Sequence, residues 1–556
     1  LPVPRHRIGP VVQALLHLAR EEGPLELAHR LEELLLAVDT LLPERPAPHD
    51  DPTWWATHLV AETLSAVPDA LAHLGLLRLL TDWIVLWRAQ GRGVPREFGP
   101  AFWEALPLPE AERLDLLRRL VVADPPTGEG TRFLDAASRL LAADPAAVQP
   151  HLTRWFSDDR PLAATPDATV ATAAQALLHT HRRHALDDLT EALVACAHRR
   201  GDELLAVLAE EEPSAVCRAV DRWAHDERPA RRVAALTYAL RAVAHVRTEA
   251  DCELLRYAAL TLLGRPADVT LHGGALALLV RDTRTRSRHL PQAVERFVAG
   301  DPHLPASALA PAFATHADQV LDAFRLRLRS PRPDSGEVLR TLADVTTPVL
   351  ARQVAALVRE VVELRPEAAA HVAEYVDLRL EHGPATRGVL FPLVAGLLAG
   401  GPAQVRAALA GVLAVPDTPA SGGLRRELLD LLLASERDPA VLEAVLRAAV
   451  GGASRGGGGG GGRDGGDGGG GGGGVDGCGG GPSFRELVRR TGLLLVRTPE
   501  GATRFDRALV DLARHVPGFA VQVSGWLSGS PAEWAAVVGP SARRMIENLA
   551  GVRVPA

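Results

Sequence analysis

Apolar positions recur at helical spacing over most of this chain. The clearest instance is 208–226, LAEEEPSAVCRAVDRWAHD. Pro213 stands where a helix begins, because the first turn has no use for the N–H that proline lacks. Val216, Cys217, Val220 and Trp223 then fall on one face. Leu208 precedes the proline by a turn and a half, and Trp223 follows it nearly three turns later. Segment 140–158 keeps both spacings with Leu140, Pro145 and Trp155. Looser versions surround Pro366 with Tyr375, Pro439 with Leu446, and Leu512 with Pro517 and Trp526. A unit that returns along a chain marks a helical-repeat array. The predicted fold class is therefore all-α, an α-solenoid of stacked helical hairpins.

Taken in order, 25–42 places Leu27, Leu31, Leu34, Leu35 and Val38 at helical spacing and stops in PERPAP. Helices are expected over 108–122 and 131–142, and another opens at Asp144–Pro145, an N-cap followed by proline at the first helical position. Pro150 should kink it. Further helices are expected over 230–246, 249–263, 274–280, 291–299, 348–364, 367–380 and 424–434, and Asp438–Pro439 repeats the earlier start. No convincing strand pattern appears. Segment 451–481 is a glycine tract without side chains to pack, expected to be a flexible, disordered insert. Its GGRDGGDGG lacks the nine-residue period of Ca²⁺-binding Gly/Asp repeats. After it, 484–497 and 504–526 look like one more helix pair, with RFDRALVDLARHVP echoing RFLDAASRLLAADP at 132–145, and 531–549 closes the array. The expected organisation is a Trp-rich helical segment at 1–106, a solenoid at 107–450, the linker at 451–481, and C-terminal repeats with a cap at 482–556.

Composition narrows the function. Hydrophobic residues make up 47% but aromatics only 4%, so the core is built from Leu, Ala and Val. There is no Lys: all 61 basic residues are Arg. This excludes a P-loop, which needs a Lys on the phosphates, and a Schiff-base lysine. A single Met and a single Asn (Asn548) suggest a GC-rich genome, which by itself enriches Arg. The net charge of -7 and pI near 6.3 disfavour nucleic acid as the main partner. Cys196, Cys217, Cys252 and Cys478 show no C-x-x-C spacing, which fits reduced thiols and a cytoplasmic location. No uninterrupted apolar run approaches a membrane span of about 18 residues, so no membrane partner is expected. The chain begins at Leu1 rather than Met, which reads as a fragment of a longer protein.

Catalytic chemistry finds no constellation. HTHRRH offers His179, His181 and His184, with Cys196 and His198 nearby, but only His181 and His184 share a helix face, and zinc sites use tighter ligand patterns. No G-x-S-x-G elbow is present. The pairs Asp50–Asp51, Asp158–Asp159 and Asp187–Asp188 are adjacent residues, which do not face each other on a helix. No catalytic residue, cofactor or metal ligand is assigned. Two groups of residues remain as candidate partner contacts. Trp54, Trp55, Trp83 and Trp87 could form an interface, where Trp is favoured, or plug the first helices together. Arg284, Arg286 and Arg288 in RDTRTRSRH, and Arg325, Arg327 and Arg329 in RLRLRSPR, could meet phosphate or line a solvated helix end.

The Leu–Pro–aromatic phrases at Pro145, Pro213, Pro366 and Pro517 resemble those of HEAT/armadillo-type solenoids, although the distances between the prolines are irregular. The Lys-free solenoid and the ending VVGPSARRMIENLAG at 537–551 are similar to C-terminal helical regions of actinobacterial proteins that carry a trypsin-like protease or a STAND NTPase. No GDSGG phrase and no P-loop is present, so no catalytic residue carries over. The resemblance implies a non-catalytic scaffold or sensor that binds a protein or peptide on an extended helical surface, within a larger multidomain protein. The alternative is nucleic-acid binding through the 281–288 and 325–332 Arg stretches.

Overall fold

A computed structural model describes residues 3–42, 53–126, 130–330, 335–345, 347–415, 418–456 and 484–551. The PERPAP stop, Asp50–Asp51, Arg332, Cys478 and nearly all of the glycine tract lie outside these residues. The chain forms two compact units, Leu1–Leu278 and Leu279–Ala556.

Each unit is an α-solenoid of two helical layers in which alternate helices are neighbours. In the first unit one layer runs through Leu74–Ala89, Glu110–Leu120, Pro145–Leu152, Leu186–Cys196, Pro213–Ala224 and Glu249–Leu263. The other includes Ile8–Glu21 against Trp54–Ala66, and Val170–Thr180 against Arg199–Glu211 and then Pro229–Ala242. In the second unit Arg286–Ala299, Phe313–Arg329, Pro348–Leu364, Arg387–Gly400 and Gly422–Ser435 follow one another in one layer. Ser335–Ala343, Ala369–Glu381, Ala403–Leu413 and Pro439–Gly456 follow in the other. Beyond the glycine tract, Phe484–Leu495 and Pro499–His515 both pack on Pro439–Gly456, so the stacking continues across it.

The repeated phrase works as its spacing predicts. Pro213 opens Pro213–Ala224, whose buried face holds Val216, Cys217, Val220 and Trp223, and Leu208 is buried in the helix before. At Pro145 the Asp144 side chain accepts the N–H of Ala147. That helix ends two residues after Pro150, and Trp155 reaches the core from the 3₁₀ turn Thr153–Ser157 instead. Tyr375 and Leu446 fill the same role after Pro366 and Pro439.

Several elements differ from expectation. Pro161–Leu162 and Thr165–Thr169 form a small antiparallel hairpin, too short and too rich in Pro and Thr to show a strand pattern. The helix expected at 504–526 is two, Pro499–His515 and Phe519–Gly529. Pro517 cannot donate to the ladder, and Gly518 at φ +78 turns the chain. The closing helix likewise divides into Pro531–Ala535 and Pro540–Leu549. The stretch Ala70–Ala89 is long and apolar enough to cross a membrane by length and composition. In the fold its Leu76, Leu77, Leu80, Ile84 and Trp87 are core residues, while Arg78, Asp82 and Arg88 are exposed.

Buried and half-buried arginines recur at the layer contacts. The last carbonyls of a helix have no partner within the helix, and a guanidinium fork can take two of them at once. Arg379 donates to Ala343 O at 3.0 Å and Val345 O at 2.9 Å. Arg365 reaches back to Ser330 O at 2.7 Å, and Arg286 to Val280 O at 2.8 Å and Arg281 O at 2.9 Å. Arg232 takes Asp226 O and Glu227 O and pairs with Asp268 at 2.6 Å. Arg425 takes Val412 O and pairs with Asp377 at 2.8 Å and Glu381 at 3.0 Å. The ties of Arg365 and Arg379 bridge neighbouring helical pairs, one repeat length apart in sequence.

Two outcomes follow from this packing. Arg379→Ala should lower unfolding free energy by about 2–4 kcal/mol, because two buried carbonyls lose charged donors and the stem leaves a gap. Arg340→Ala, which breaks an exposed pair with Glu374 at 3.1 Å, should cost under about 1 kcal/mol. Urea unfolding of the two variants checks the order, and equal losses would contradict it. The second outcome concerns Asp124, which accepts the N–H of Phe133 at 2.7 Å and of Leu134 at 2.9 Å. Burial pushes its carboxyl up to about 6, against those two bonds and nearby Arg132, with Asp135 adding to the rise. The reference value is 3.8, so between these values the folded chain holds a proton that the unfolded chain releases. The stability this adds is complete below the lower value and is lost as pH rises through about 6. Asp124→Asn should flatten that fall in the urea midpoint; an unchanged slope would contradict the assignment.

Candidate functional site

In the first unit a groove of about 680 Å³ lies between Pro145–Leu152 with its following 3₁₀ turn and Leu186–Cys196. Its position follows from the layering. These two helices are neighbours in one layer, and small side chains at their contact, Ala146, Ala192 and Ala195, leave the surface open between them. Thr153, Ser157 and His198 add polar atoms, and Arg154, Asp188, Glu191 and Arg231 add charge.

The charged groups are not equivalent. Glu191 accepts Trp223 Nε1–H at 2.8 Å and Arg222 at 3.2 Å and also pairs with buried Arg231. It therefore holds three helices together. Asp187 beside it takes Arg218 at 3.2 Å. Beyond Ser157 the surface continues to Asp158, a buried carboxylate gripped by Arg118 and Arg160, each at 2.6 Å. Burial opposes the charge on Asp158, but the hydrogen bonds from Arg160 and Arg118 outweigh it and hold the carboxyl down at about 2. A carboxylate this firmly ionised is a structural anchor and a poor proton carrier.

The candidate tryptophans are dispersed in role. Trp87 is fully buried and donates to Asp39 at 2.7 Å, with Trp83 beside it at a ring distance of 6.2 Å and partly exposed. Trp54 is half-buried, lies under the Arg5 guanidinium at 4.8 Å and meets the His58 ring at 4.3 Å. Trp55 is half-buried on the same helix. His58 lines a second groove of about 650 Å³ and pairs with Glu97 at 3.1 Å.

The arginine stretches are largely engaged within the fold. Arg286 is buried on carbonyls of the preceding helix. Arg327 is buried over the Phe297 ring at 5.6 Å. Arg325 and Arg329 both reach Glu360, at 3.3 Å and 2.8 Å. Arg284 and Arg288 are exposed. The buried pair is not available to phosphate, and one carboxylate already sits between Arg325 and Arg329. Sequence alone treats an arginine as a surface charge; its use as a cap shows only when helix ends are placed beside it.

The histidines separate too. His179 pairs with Glu211 at 2.9 Å, and His181 meets Ser138 at 3.2 Å. His184 lies on the next 3₁₀ turn, its ring 6.1 Å from His181. His198 accepts the N–H of Arg200 at 3.1 Å. Among the described residues no three His, Cys, Asp or Glu side chains converge as a metal would need. Burial raises the thiols of Cys196 and Cys217, the latter to about 12, so neither is poised as a nucleophile.

No protein family matches the chain, and no curated protein does. Among solved structures, the crystal complex of SYS-1/POP-1 aligns over 100% of this chain and 97% of that chain, at 11% identity and a TM-score of 0.24. A likeness at that score carries no weight for fold or partner, which rest on this chain's own helices.

Proposed function

We propose that this chain is a non-catalytic scaffold or sensor module that binds a protein or peptide on its helical-repeat surface. The observation that supports this most is the open groove between Pro145–Leu152 and Leu186–Cys196, on a continuous helical face, with its anchoring charges tied into the fold. Rigid helices bearing an open groove bind without rearranging much, which limits the entropy lost on association. The partly exposed Trp54, Trp55 and Trp83 belong to the same reading as further contact points. Its place as one part of a multidomain protein, beside a trypsin-like protease or a STAND NTPase, rests on the Lys-free solenoid and the 537–551 ending, and its cytoplasmic location on the cysteine pattern; the reading frame upstream of Leu1 tests the multidomain point.

Cross-linking in the native cells, followed by purification of the full chain and mass spectrometry, tests the binding reading. The expected result is a protein cross-linked reproducibly to peptides of the helical units, with association that survives high salt. Recovery of nucleic acid alone, released steeply as salt rises, would contradict it, because phosphate contacts are the interactions that salt weakens most.

A further inference from the structure

The groove's polar atoms are arranged in a way that selects the form of its occupant. The Thr153 hydroxyl donates to Pro150 O at 2.9 Å and the Ser157 hydroxyl to Arg154 O at 3.2 Å. Both hydrogens are thus in use, and both oxygens keep lone pairs that can only accept. His198 is the opposite case. Its Nδ1 accepts the Arg200 N–H, so the neutral ring carries its proton on Nε2 and can donate. The groove therefore offers both acceptors and a donor. A helix has used its backbone N–H and C=O groups internally, whereas an extended segment carries both unsatisfied along its length.

Two charges add a requirement. Arg154 and Asp188 line the groove and are exposed, and among the described residues neither side chain has an ion pair or hydrogen bond. Their neighbours Asp187, Glu191 and Asp159 are all paired, Asp159 with Arg200 at 3.0 Å. An occupant that covers Arg154 and Asp188 removes water from both, and that costs free energy unless each meets an opposite charge. A segment without those charges is rejected by the same cost.

Resting on the binding reading above, we propose that this groove takes its partner as an extended peptide segment that sets an acidic side chain against Arg154 and a basic one against Asp188. The volume of about 680 Å³ suits a short segment rather than a folded domain. The hydroxyls of Thr153 and Ser157 receive peptide N–H groups, and His198 donates to a peptide carbonyl.

A random linear peptide library displayed on phage and panned against the full chain supplies the probe, with selected sequences resynthesised and measured by fluorescence anisotropy. The expected peptides carry one acidic and one basic residue at a constant separation. Arg154→Glu should weaken them by about ten-fold or more, the scale of a charge pair replaced by a repulsion. Exchanging the peptide's acidic residue for Lys should restore binding to Arg154→Glu while abolishing it on the unaltered chain. Asp188→Arg should behave in mirror image. Both positions are exposed, and an unchanged urea midpoint confirms that the variants fold. Peptides that bind but ignore both substitutions would overturn the groove assignment and leave the general binding reading standing. Peptides that bind only as helices, or a library that yields none, would overturn the extended-segment inference, while the cross-linking result decides the binding reading separately.

Discussion

A helix that ends inside a packed stack leaves carbonyl oxygens with no hydrogen-bond partner, and this chain must satisfy them at every layer contact. At several of these contacts it does so with arginine. Arg379 Nη1 donates to both Ala343 O and Val345 O from the next helix of the same layer, and the fork of Arg286 spans Val280 O and Arg281 O from the helix that follows. The chain has no lysine, so every such cationic tie is an arginine's. The charge is retained inside because acidic partners accompany several of these forks, as Asp268 does for Arg232 and Asp377 with Glu381 do for Arg425. Hydrophobic burial supplies the driving force, and the arginine ties set which helix ends lie against which.

Both the stack and its surface features follow from contacts of this range. Each pair of helices touches its neighbours, and ties such as Arg218 to Asp187 or Arg329 to Glu360 join one pair to the next. A groove forms where two same-layer neighbours meet through alanines rather than large side chains, as at Ala146, Ala192 and Ala195. The groove's structural charges are consumed by the stack, and the two unpaired ones are left facing solvent.

Much of the fold is legible in the residue pattern. Proline at the first helical position and apolar residues at helical spacing mark Pro213–Ala224 and its relatives in the sequence itself. What escapes is of two kinds. The hairpin at 161–169 is too short for its alternation to register, and the break at Pro517 is masked by apolar residues on both sides. The site escapes because it is a gap between elements far apart in sequence. Nothing near Arg154 distinguishes it from Arg286; only the placement of helix ends shows that one is buried on carbonyls and the other lines an open groove. The tryptophans show the same limit, since Trp87 and Trp83 share a helix face yet differ in burial.

Hydrogen–deuterium exchange of the full chain carrying Arg379→Ala tests the dependence on these ties most directly. A stack held by nearest-neighbour ties should lose amide protection in Ser335–Ala343 and Ala369–Glu381, next to the lost fork, while Pro213–Ala224 in the other unit keeps its protection. Uniform loss of protection through both units, or no loss beside position 379, would contradict the account.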